Sequence, residues 1–354
     1  MTGKRMTKPV KTRFARNIFH QNRAMRPLIA AAALALAIFG AARFAVAQFG
    51  DFAPQGEVHV LHVQGNVYML VGAGANITVQ AGDDGVLVVD TGTAAMSQKV
   101  LAAIRSISDK PIRYIINTCA DPDHVGGNEV IAKAGSTIAG GNVVGDIGAS
   151  AGDQATVIAY DSVLDRMSAP TGKKAPFPQD AWPTDTFTTP EKKLYFNGEP
   201  IEIIHIPNAH TDGDSIVFFH KSDVVTAGDI FVTTSYPVVE LDEGGSINGL
   251  IDGLNRLIQI TTPIAMQEGG TMVISGHGRV GDQADVKFYQ EAITIIRDRF
   301  QDAIKRGLTL QQVETANLTL DYDPRYGAVE GPWTTKMFID AVYKSLSEKH
   351  EAGQ

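Results

Sequence analysis

The 354-residue chain is long enough to bury a sizeable core, as one large or two ordinary domains, and its composition, 44% hydrophobic and 20% charged, is that of a soluble globular protein. Its formal net charge of −8 is unevenly spread: nine basic and no acidic residues fall within 1–47, leaving 22 Lys and Arg against 39 Asp and Glu in the remainder. A surface that acidic repels a phosphate backbone, which excludes nucleic acid as a partner and points to a small-molecule substrate.

The N-terminal stretch reads as an address. Lys4, Arg5, Lys8, Lys11, Arg13, Arg16, Arg23 and Arg26 precede an apolar run over 28–42, and Ala45, Val46 and Ala47 supply a small-x-small cleavage pattern before Gln48. This is the layout of a secretory signal peptide over 1–47, cut after Ala47, which sends the mature chain to the periplasm or out of the cell with no stable membrane insertion. The alternative is an uncleaved membrane anchor, which the shortness of the run, against the roughly 20 residues of a span, disfavours. Cys119 is the single cysteine, so no intramolecular disulfide forms. A lone thiol in an oxidising compartment is a ligand, a nucleophile or a simply buried small apolar residue.

After a linker at 48–56, apolar runs at 58–63, 67–71, 77–80 and 86–89 read as a meander of strands separated by Gly and Asn turns. The last ends in Asp90, Thr91 and Gly92. A helix carrying Met96, Val100, Leu101 and Ile104 on one face follows, then a strand over 112–116 and a helix over 127–134. Strand and helix alternate here, which implies helices laid over a sheet. The stretch 140–200, rich in Gly, Pro, Asp, Thr and Lys, reads as a surface excursion with a short helix around 153–167. Strands at 193–196, 201–206, 215–219 and 224–227 continue the same pattern, followed by a helix with Leu250, Ile251, Leu254, Leu257 and Ile258 and a strand at 272–275. Val286, Tyr289, Ile293, Ile296, Phe300 and Ile304 mark a long amphipathic helix, and Met337, Phe338, Ala341, Val342 and Leu346 the last one. These stripes are core packing, and the chain from 57 to 349 is expected to form one domain.

Chemistry concentrates where apolar strands stop. The strand at 112–116 runs into Asn117, Thr118, Cys119, Ala120, Asp121, Pro122, Asp123, His124, Val125, Gly126, Gly127 and Asn128. Cys, Asp and His are three of the main ligand types for zinc and its neighbours. A polar turn capping the next helix through Asp123 or Asn128 is the other reading. His210 with Thr211, Asp229 and His277 follow later strands in the same way. His59, His62, His205 and His220 lie in or at the ends of strands and read as structural histidines. No Ser nucleophile elbow or phosphate loop competes, and Gly72, Ala73 and Gly74 lack the rest of a dinucleotide fingerprint.

In this order, Asp90-Thr91-Gly92, Asn117-Thr118 through His124-Val125-Gly126-Gly127-Asn128, His210 through Asp214, Gly228-Asp229 and Gly276-His277-Gly278 resemble the five motifs of the metallo-β-lactamase-fold hydrolases. The resemblance covers nearly all of the chain after 57. It implies a four-layer α/β/β/α sandwich of two mixed β-sheets flanked by helices, with one or two metal ions at the sheet edge. Zinc is the expected ion, with iron(II) or manganese(II) as alternatives. That family carries His-x-His-x-Asp-His where this chain has Cys119-x-Asp121-x-Asp123-His124. By resemblance, one metal position would see Cys119, Asp121 and His210, and the other Asp123, His124 and His277, with Asp229 bridging. Asp90, Asn117, Thr118 and Thr211 would support these ligands from behind. The implied reaction is attack by a metal-bound hydroxide on the carbonyl of a lactam, lactone, ester or thioester, with Asp123 or Asp229 orienting it and passing its proton to the leaving group. The alternatives are a catalytically inactive binding protein on the same fold and, ranked below it, an iron-dependent oxygenase.

Overall fold

The structure is a computed structural model that describes residues 56–137, 154–168, 175–266 and 269–351. The leader at 1–47, all of the linker at 48–56 except Gly56, and parts of the 140–200 stretch lie outside the described residues. No helix among the described residues is long and apolar enough to cross a membrane.

The first sheet has seven strands in sequential order: β1 (His59–Gln64), β2 (Val67–Val71), β3 (Ile77–Gly82), β4 (Gly85–Val89), β5 (Ile112–Ile116), β6 (Thr156–Tyr160) and β7 (Asp185–Phe187). The pairs from β1 to β4 are antiparallel and those from β4 to β7 parallel. The second sheet has six strands: β8 (Glu191–Phe196), β9 (Glu199–His205), β10 (Ser215–Phe219), β11 (Val224–Thr226), β12 (Met272–Ile274) and β13 (Val280–Gly281), in the order β13-β12-β11-β10-β9-β8. Among the described residues its one parallel pair is β11 with β12. The helices are α1 (Ser97–Ile107), the short turn α2 (Pro122–Val125), α3 (Asn128–Lys133), α4 (Asp161–Ser168), α5 (Ile247–Ile260), α6 (Gln283–Lys305), α7 (Leu310–Glu314), α8 (Asp323–Tyr326) and α9 (Thr335–Glu351).

Strand alternation sorts the apolar residues into layers. In β4, Leu87 and Val89 enter the layer between the two sheets, where they join Val217, Phe219 and Ile274 of the second sheet. Val86 and Val88 face the other way, into a core built with Val100 and Ile104 of α1 and Ile131 of α3. In the second sheet, Ile216 and Val225 turn outward onto Leu250, Leu254, Ile293 and Phe338 from α5, α6 and α9. The central strands of each sheet are thus buried on both faces, which is why they read as continuous apolar runs, while the edge strands β1 and β8 carry exposed residues. The result is the α/β/β/α sandwich of two mixed sheets.

Two details depart from the sequence reading. Thr156–Tyr160 is a strand, and the helix expected at 153–167 is confined to Asp161–Ser168. A five-residue run buried on both faces has no period to separate it from helix. The 140–200 stretch therefore supplies β6, β7 and β8 as well as surface chain.

Strand direction brings the polar motifs together. β4 and β5 are parallel, so Asp90 and the residues after Ile116 leave the same rim of the first sheet. In the second sheet, β9 and β11 each run antiparallel to β10, and β12 runs parallel to β11, so their C-terminal ends share a rim as well. Backbone bonds join the rims: Ser215 N donates to the Thr118 carbonyl at 2.8 Å and Asn76 N to that of Gly276 at 2.8 Å.

Candidate metal centre

The turn α2 aims the first cluster. Pro122 occupies its first position, where a missing N–H costs nothing, and the backbone N–H groups of His124 and Val125 both donate to the Asp121 carbonyl at 2.9 Å. Asp123 and His124 are thereby turned to the rim. No side chain caps α3. Asn128 instead exchanges amide hydrogen bonds with Asn117, at 3.1 and 2.8 Å, and accepts from Thr91 Oγ1.

His124 is fully buried and held from behind. Its Nδ1 donates to Asp90 Oδ2 at 2.8 Å, and Asp90 also accepts from Thr118 N at 2.9 Å and Thr118 Oγ1 at 2.6 Å. Asp90 sits at φ 61°, a left-handed conformation that a non-glycine residue adopts at a cost. His210 has a parallel arrangement. Its Nδ1 donates to Asp214 Oδ1 at 3.3 Å, while Asp214 accepts from Thr211 N at 2.7 Å and Thr211 Oγ1 at 3.1 Å. In both cases the imidazole's Nε2 is left facing the rim, the arrangement by which outer carboxylates orient metal-binding histidines.

Two groups of three ligand-type side chains result: Cys119, Asp121 and His210, and Asp123, His124 and His277, the donor atoms of each group lying within 4.8 Å of one another. Asp229 connects to the second group, with Oδ1 at 3.4 Å from His124 Nε2 and 3.5 Å from His277 Nε2. His277 Nε2 is 3.4 Å from Asp123 Oδ2, and His210 Nε2 is 3.4 Å from Asp121 Oδ2. Close approach here requires glycine: a Cβ on Gly276 would lie 2.1 Å from Asp229 Oδ1 and 2.7 Å from the Gly228 carbonyl carbon.

The donor set fits a divalent cation. His124 Nε2, His210 Nε2 and Asp229 Oδ1 are buried and make no hydrogen bond of ordinary geometry. Each such group costs roughly 1–3 kcal/mol when left unsatisfied, and cations held by the two groups would satisfy them. The electrostatics agree. Burial lowers the His210 imidazole, but the hydrogen bond and charge of Asp214, with Asp121 and Asp229, outweigh it and push it up to about 10. Burial works the same way at His124, where Cys119, Asp229 and Asp90 raise it well above the usual histidine range. Burial pushes the Asp121 carboxyl up to about 7 and the Cys119 thiol up as well. At Asp229 burial raises the carboxyl, but the neighbouring His277 and His124 hold it well below the usual carboxylate range. Protons and carboxylates thus balance each other where a cation would replace the protons.

Asp121, Asp123, Asp229 and His277 form the floor of a cavity of about 830 Å³. Its lining combines apolar residues, Val238, Val239, Leu241, Pro332, Trp333 and Met337, with the acidic Glu240, Asp242 and Asp340 and the basic Lys344. Burial raises the Glu240 carboxyl above the usual carboxylate range.

The seven residues expected as ligands therefore meet at one place. Asp90 and Thr118 touch His124, Thr211 touches Asp214, and Asn117 contacts Asn128 rather than any of the seven. His205 stacks on Tyr160 with ring centroids 3.5 Å apart, His62 bonds the Gly65 carbonyl, and His220 pairs with Glu202, so these three stand outside both groups, as does exposed His59. Sequence reasoning missed Asp214, although an Asp four residues after His210 and just before a strand repeats the way Asp90 closes β4. It also missed Glu240 and Trp333, which no motif marks.

A fold of two sheets between helices, with Asp, His and Cys side chains at the shared rim, defines a class of metal-site α/β/β/α proteins. A sequence model of the metallo-beta-lactamase superfamily matches residues 70–284, more than half of the chain, and the chain belongs to that superfamily. It is 26% identical over 250 residues to a linear primary-alkylsulfatase of Pseudomonas sp. (strain ATCC 19151), a match covering 64% of this chain and 46% of the relative. Among solved structures it is similar to the stereoselective inverting sec-alkylsulfatase Pisa1 from Pseudomonas sp., with TM-score 0.57 and 14% identity over 81% of this chain and 50% of that one. A metallo-beta-lactamase from Pontibacter korlensis matches with TM-score 0.49 and 15% identity over 67% of this chain and 99% of that one. The chain spans about half the length of the two alkylsulfatases it matches. At 14% identity the likeness to the sec-alkylsulfatase structure speaks for the fold alone.

Proposed function

We propose that the protein is an exported metal-dependent hydrolase that cleaves neutral ester-type small molecules at a carbonyl. The observation that carries this reading is the convergence of seven ligand-type side chains, three of them with buried atoms that make no hydrogen bond of ordinary geometry, at a rim where four of the seven line an open cavity. Asp123, His124 and His277, with Asp229 beside them, would hold a cation of zinc, iron(II) or manganese(II) character. When bound, such an ion supplies hydroxide at neutral pH, by lowering the pKa of water to roughly 7, and a Lewis acid for the carbonyl oxygen.

The chain's own groups do the rest. Asp90 locks the His124 ring through Nδ1, so only Nε2 faces the reaction. Asp229, kept anionic by the histidines around it, accepts a hydrogen bond from the attacking nucleophile and so orients it. Asp123, the more exposed carboxylate at 28%, reaches the leaving group and passes the proton to it. Trp333, Met337 and Leu241 receive the apolar part of the substrate and exclude water from it.

The alkylsulfatase relative favours a second reading, hydrolysis of a sulfate ester with an alkyl chain, which the apolar lining also suits. Among the lining side chains Glu240 and Asp242 outnumber Lys344, with Asp340 paired to Lys336 at 3.3 Å, and this excess of negative charge away from the metal groups suits a neutral acyl ester better than an anionic sulfate. Metal analysis of the purified mature protein, followed by assay of a neutral nitrophenyl acyl ester against an alkyl sulfate of equal chain length, tests both. Bound metal and faster cleavage of the acyl ester are expected; faster cleavage of the sulfate selects the second reading, and no metal retained after reconstitution defeats both. Export predicts a mature N-terminus at Gln48, read by N-terminal sequencing; an N-terminus upstream of residue 28 contradicts it.

A further inference from the structure

We propose that Arg166 is a positioning residue for the substrate: from α4 it ties the cavity-lining segment 238–243 to the loop that carries His210, and so sets the length of acyl chain that the cavity accepts. This rests on the hydrolase reading of the same site and goes beyond it by assigning a specificity determinant that does not itself line the cavity.

Three observations carry it. One guanidinium reaches both segments: Nη2 donates to Asp212 Oδ1, two residues after His210, and to the Glu243 carbonyl at 2.6 Å, while Nε lies 3.0 Å from Glu243 Oε2. The Arg166 side chain is sheltered, with 18% of its surface exposed, and it packs against the His210 loop at Gly213. A Cβ on that glycine would lie 3.0 Å from Arg166 Nη1 and 2.8 Å from Ser162 Oγ, so α4 presses directly on the loop. The two segments also run side by side. Glu240 N donates to the His210 carbonyl, Asp212 N to that of Glu243 and Ser246 N to that of Ala209, each at 2.9 Å. Between Glu240 and Glu243 the chain makes one tight turn, Leu241–Glu243, from which Leu241 and Asp242 line the cavity. Arg166 holds the far end of that turn by both the carbonyl and the carboxylate of Glu243.

An isolated surface ion pair does little, because water competes for both charges. Arg166 differs in that a planar fork meets three acceptors on two segments at once, which fixes direction as well as distance. A lysine there would carry the same charge as a single point and could not hold the three together. What the tie controls follows from where the segment stands. Val238, Val239 and Leu241 supply apolar lining, whereas Asp123, Asp229 and His277 stand at the floor, where the ester group would lie. Releasing the turn therefore removes contacts from the far carbons of a long acyl chain and leaves the neighbours of the ester group in place. A short acyl group, which does not extend along the segment, has little to lose.

Nitrophenyl decanoate and nitrophenyl acetate, assayed with the metal-loaded mature protein, test this through the ratio of their kcat/KM values. Arg166→Ala is expected to lower the decanoate-to-acetate ratio about tenfold, chiefly through KM for the decanoate, which is the low end of what one methylene contact in an apolar pocket decides. Its metal content is expected to match the wild type. Arg166→Lys is expected to stay nearer the alanine variant than the wild type. Asp212→Ala should lower the ratio in the same direction, and the double variant should lower it no further than Arg166→Ala, because both substitutions cut one tie. A ratio left unchanged in Arg166→Ala, with both esters slowed alike, marks a purely structural role and overturns the inference. A full return of the ratio in Arg166→Lys overturns it too, as does a double variant whose loss is the product of the single losses, or loss of metal from Arg166→Ala. If Arg166→Ala fails to fold, the ratio in Asp212→Ala decides, since that variant leaves α4 intact. A metal-loaded wild type that cleaves neither ester defeats the hydrolase reading and this inference with it, whereas the ratios of an active wild type and its variants bear on this inference alone.

Discussion

The two rims of the sandwich solve the same problem with different residues. On the first sheet, Asp90 at the end of β4 holds His124; on the second, Asp214 just before β10 holds His210. The contacts differ in closeness, 2.8 Å against 3.3 Å, and in what surrounds them. Asp90 takes two further bonds from Thr118, which belongs to the loop carrying the ligands, whereas Asp214 takes its bonds from Thr211, next to the very histidine it supports. The first support ties two strand ends together and the second is local to one turn. What differs in front of the histidines is sharper still: a nitrogen- and oxygen-rich group at one rim position, and a group with a thiol at the other. Orientation is conserved between the halves while ligand softness is not, so the geometry of a site and its metal preference are set by separate residues.

The largest effect is expected at Asp229, which stands against both histidines of one group. Gly276→Ala places a methyl 2.1 Å from Asp229 Oδ1, so Asp229 and the backbone of Gly228 must move. A displacement near 1 Å at reacting groups costs about 10²-fold in rate, and the overpacking itself roughly 1–3 kcal/mol. Steady-state kinetics beside a circular-dichroism melt separates the two; unchanged turnover in a folded variant refutes the role given to Asp229.

Next come the supports. Asp90→Asn and Asp214→Asn should each weaken metal binding roughly 10–100-fold, the first at the Asp123, His124 and His277 group and the second at the Cys119, Asp121 and His210 group. Competition titration with a chromophoric chelator reads both. Equal loss at both positions from either substitution would mean that the groups do not act separately.

The last effect concerns pH and is spread over several pH units. In the metal-free protein His210 stands at about 10 against an ordinary 6.5, so between those values the folded chain keeps a proton that the unfolded chain has lost. Its contribution to stability is complete below pH 6.5 and disappears as pH rises through about 10, at no more than about 1.4 kcal/mol per pH unit for one group. Asp121, raised to about 7 from 3.8, acts with the same sign at lower pH. Chelated protein should therefore lose stability in urea melts as pH is raised from 7 to 10, and metal-loaded protein should lose less. A chelated protein whose stability rises over that range contradicts the proton balance described above.

Much of this was legible in the residues themselves. Apolar runs ending in Asp90, Cys119, Asp229 and His277 mark strand ends because a buried strand excludes such groups until it reaches the rim, and the seven candidate ligands were all found this way or through the motif order. Short buried strands were not legible: Thr156–Tyr160 is apolar on both faces, so nothing in its pattern opposes a helix. Asp214 went unseen because its role exists only in relation to a ring four residues away.

The sequence by itself determined which side chains are of ligand type and that they follow strands, since hydrophobic patterning and ligand type are local properties. Only the tertiary structure decided how they divide. That Cys119 and Asp121 stand with His210, while their neighbours Asp123 and His124 stand with His277, depends on the α2 turn and on two rims joined through Thr118, Ser215 and Asn76. The cavity above them is likewise a tertiary product. Its wall comes from Glu240 and Trp333, far along the chain, because packing brings distant segments together by the surface they bury and not by any motif they carry.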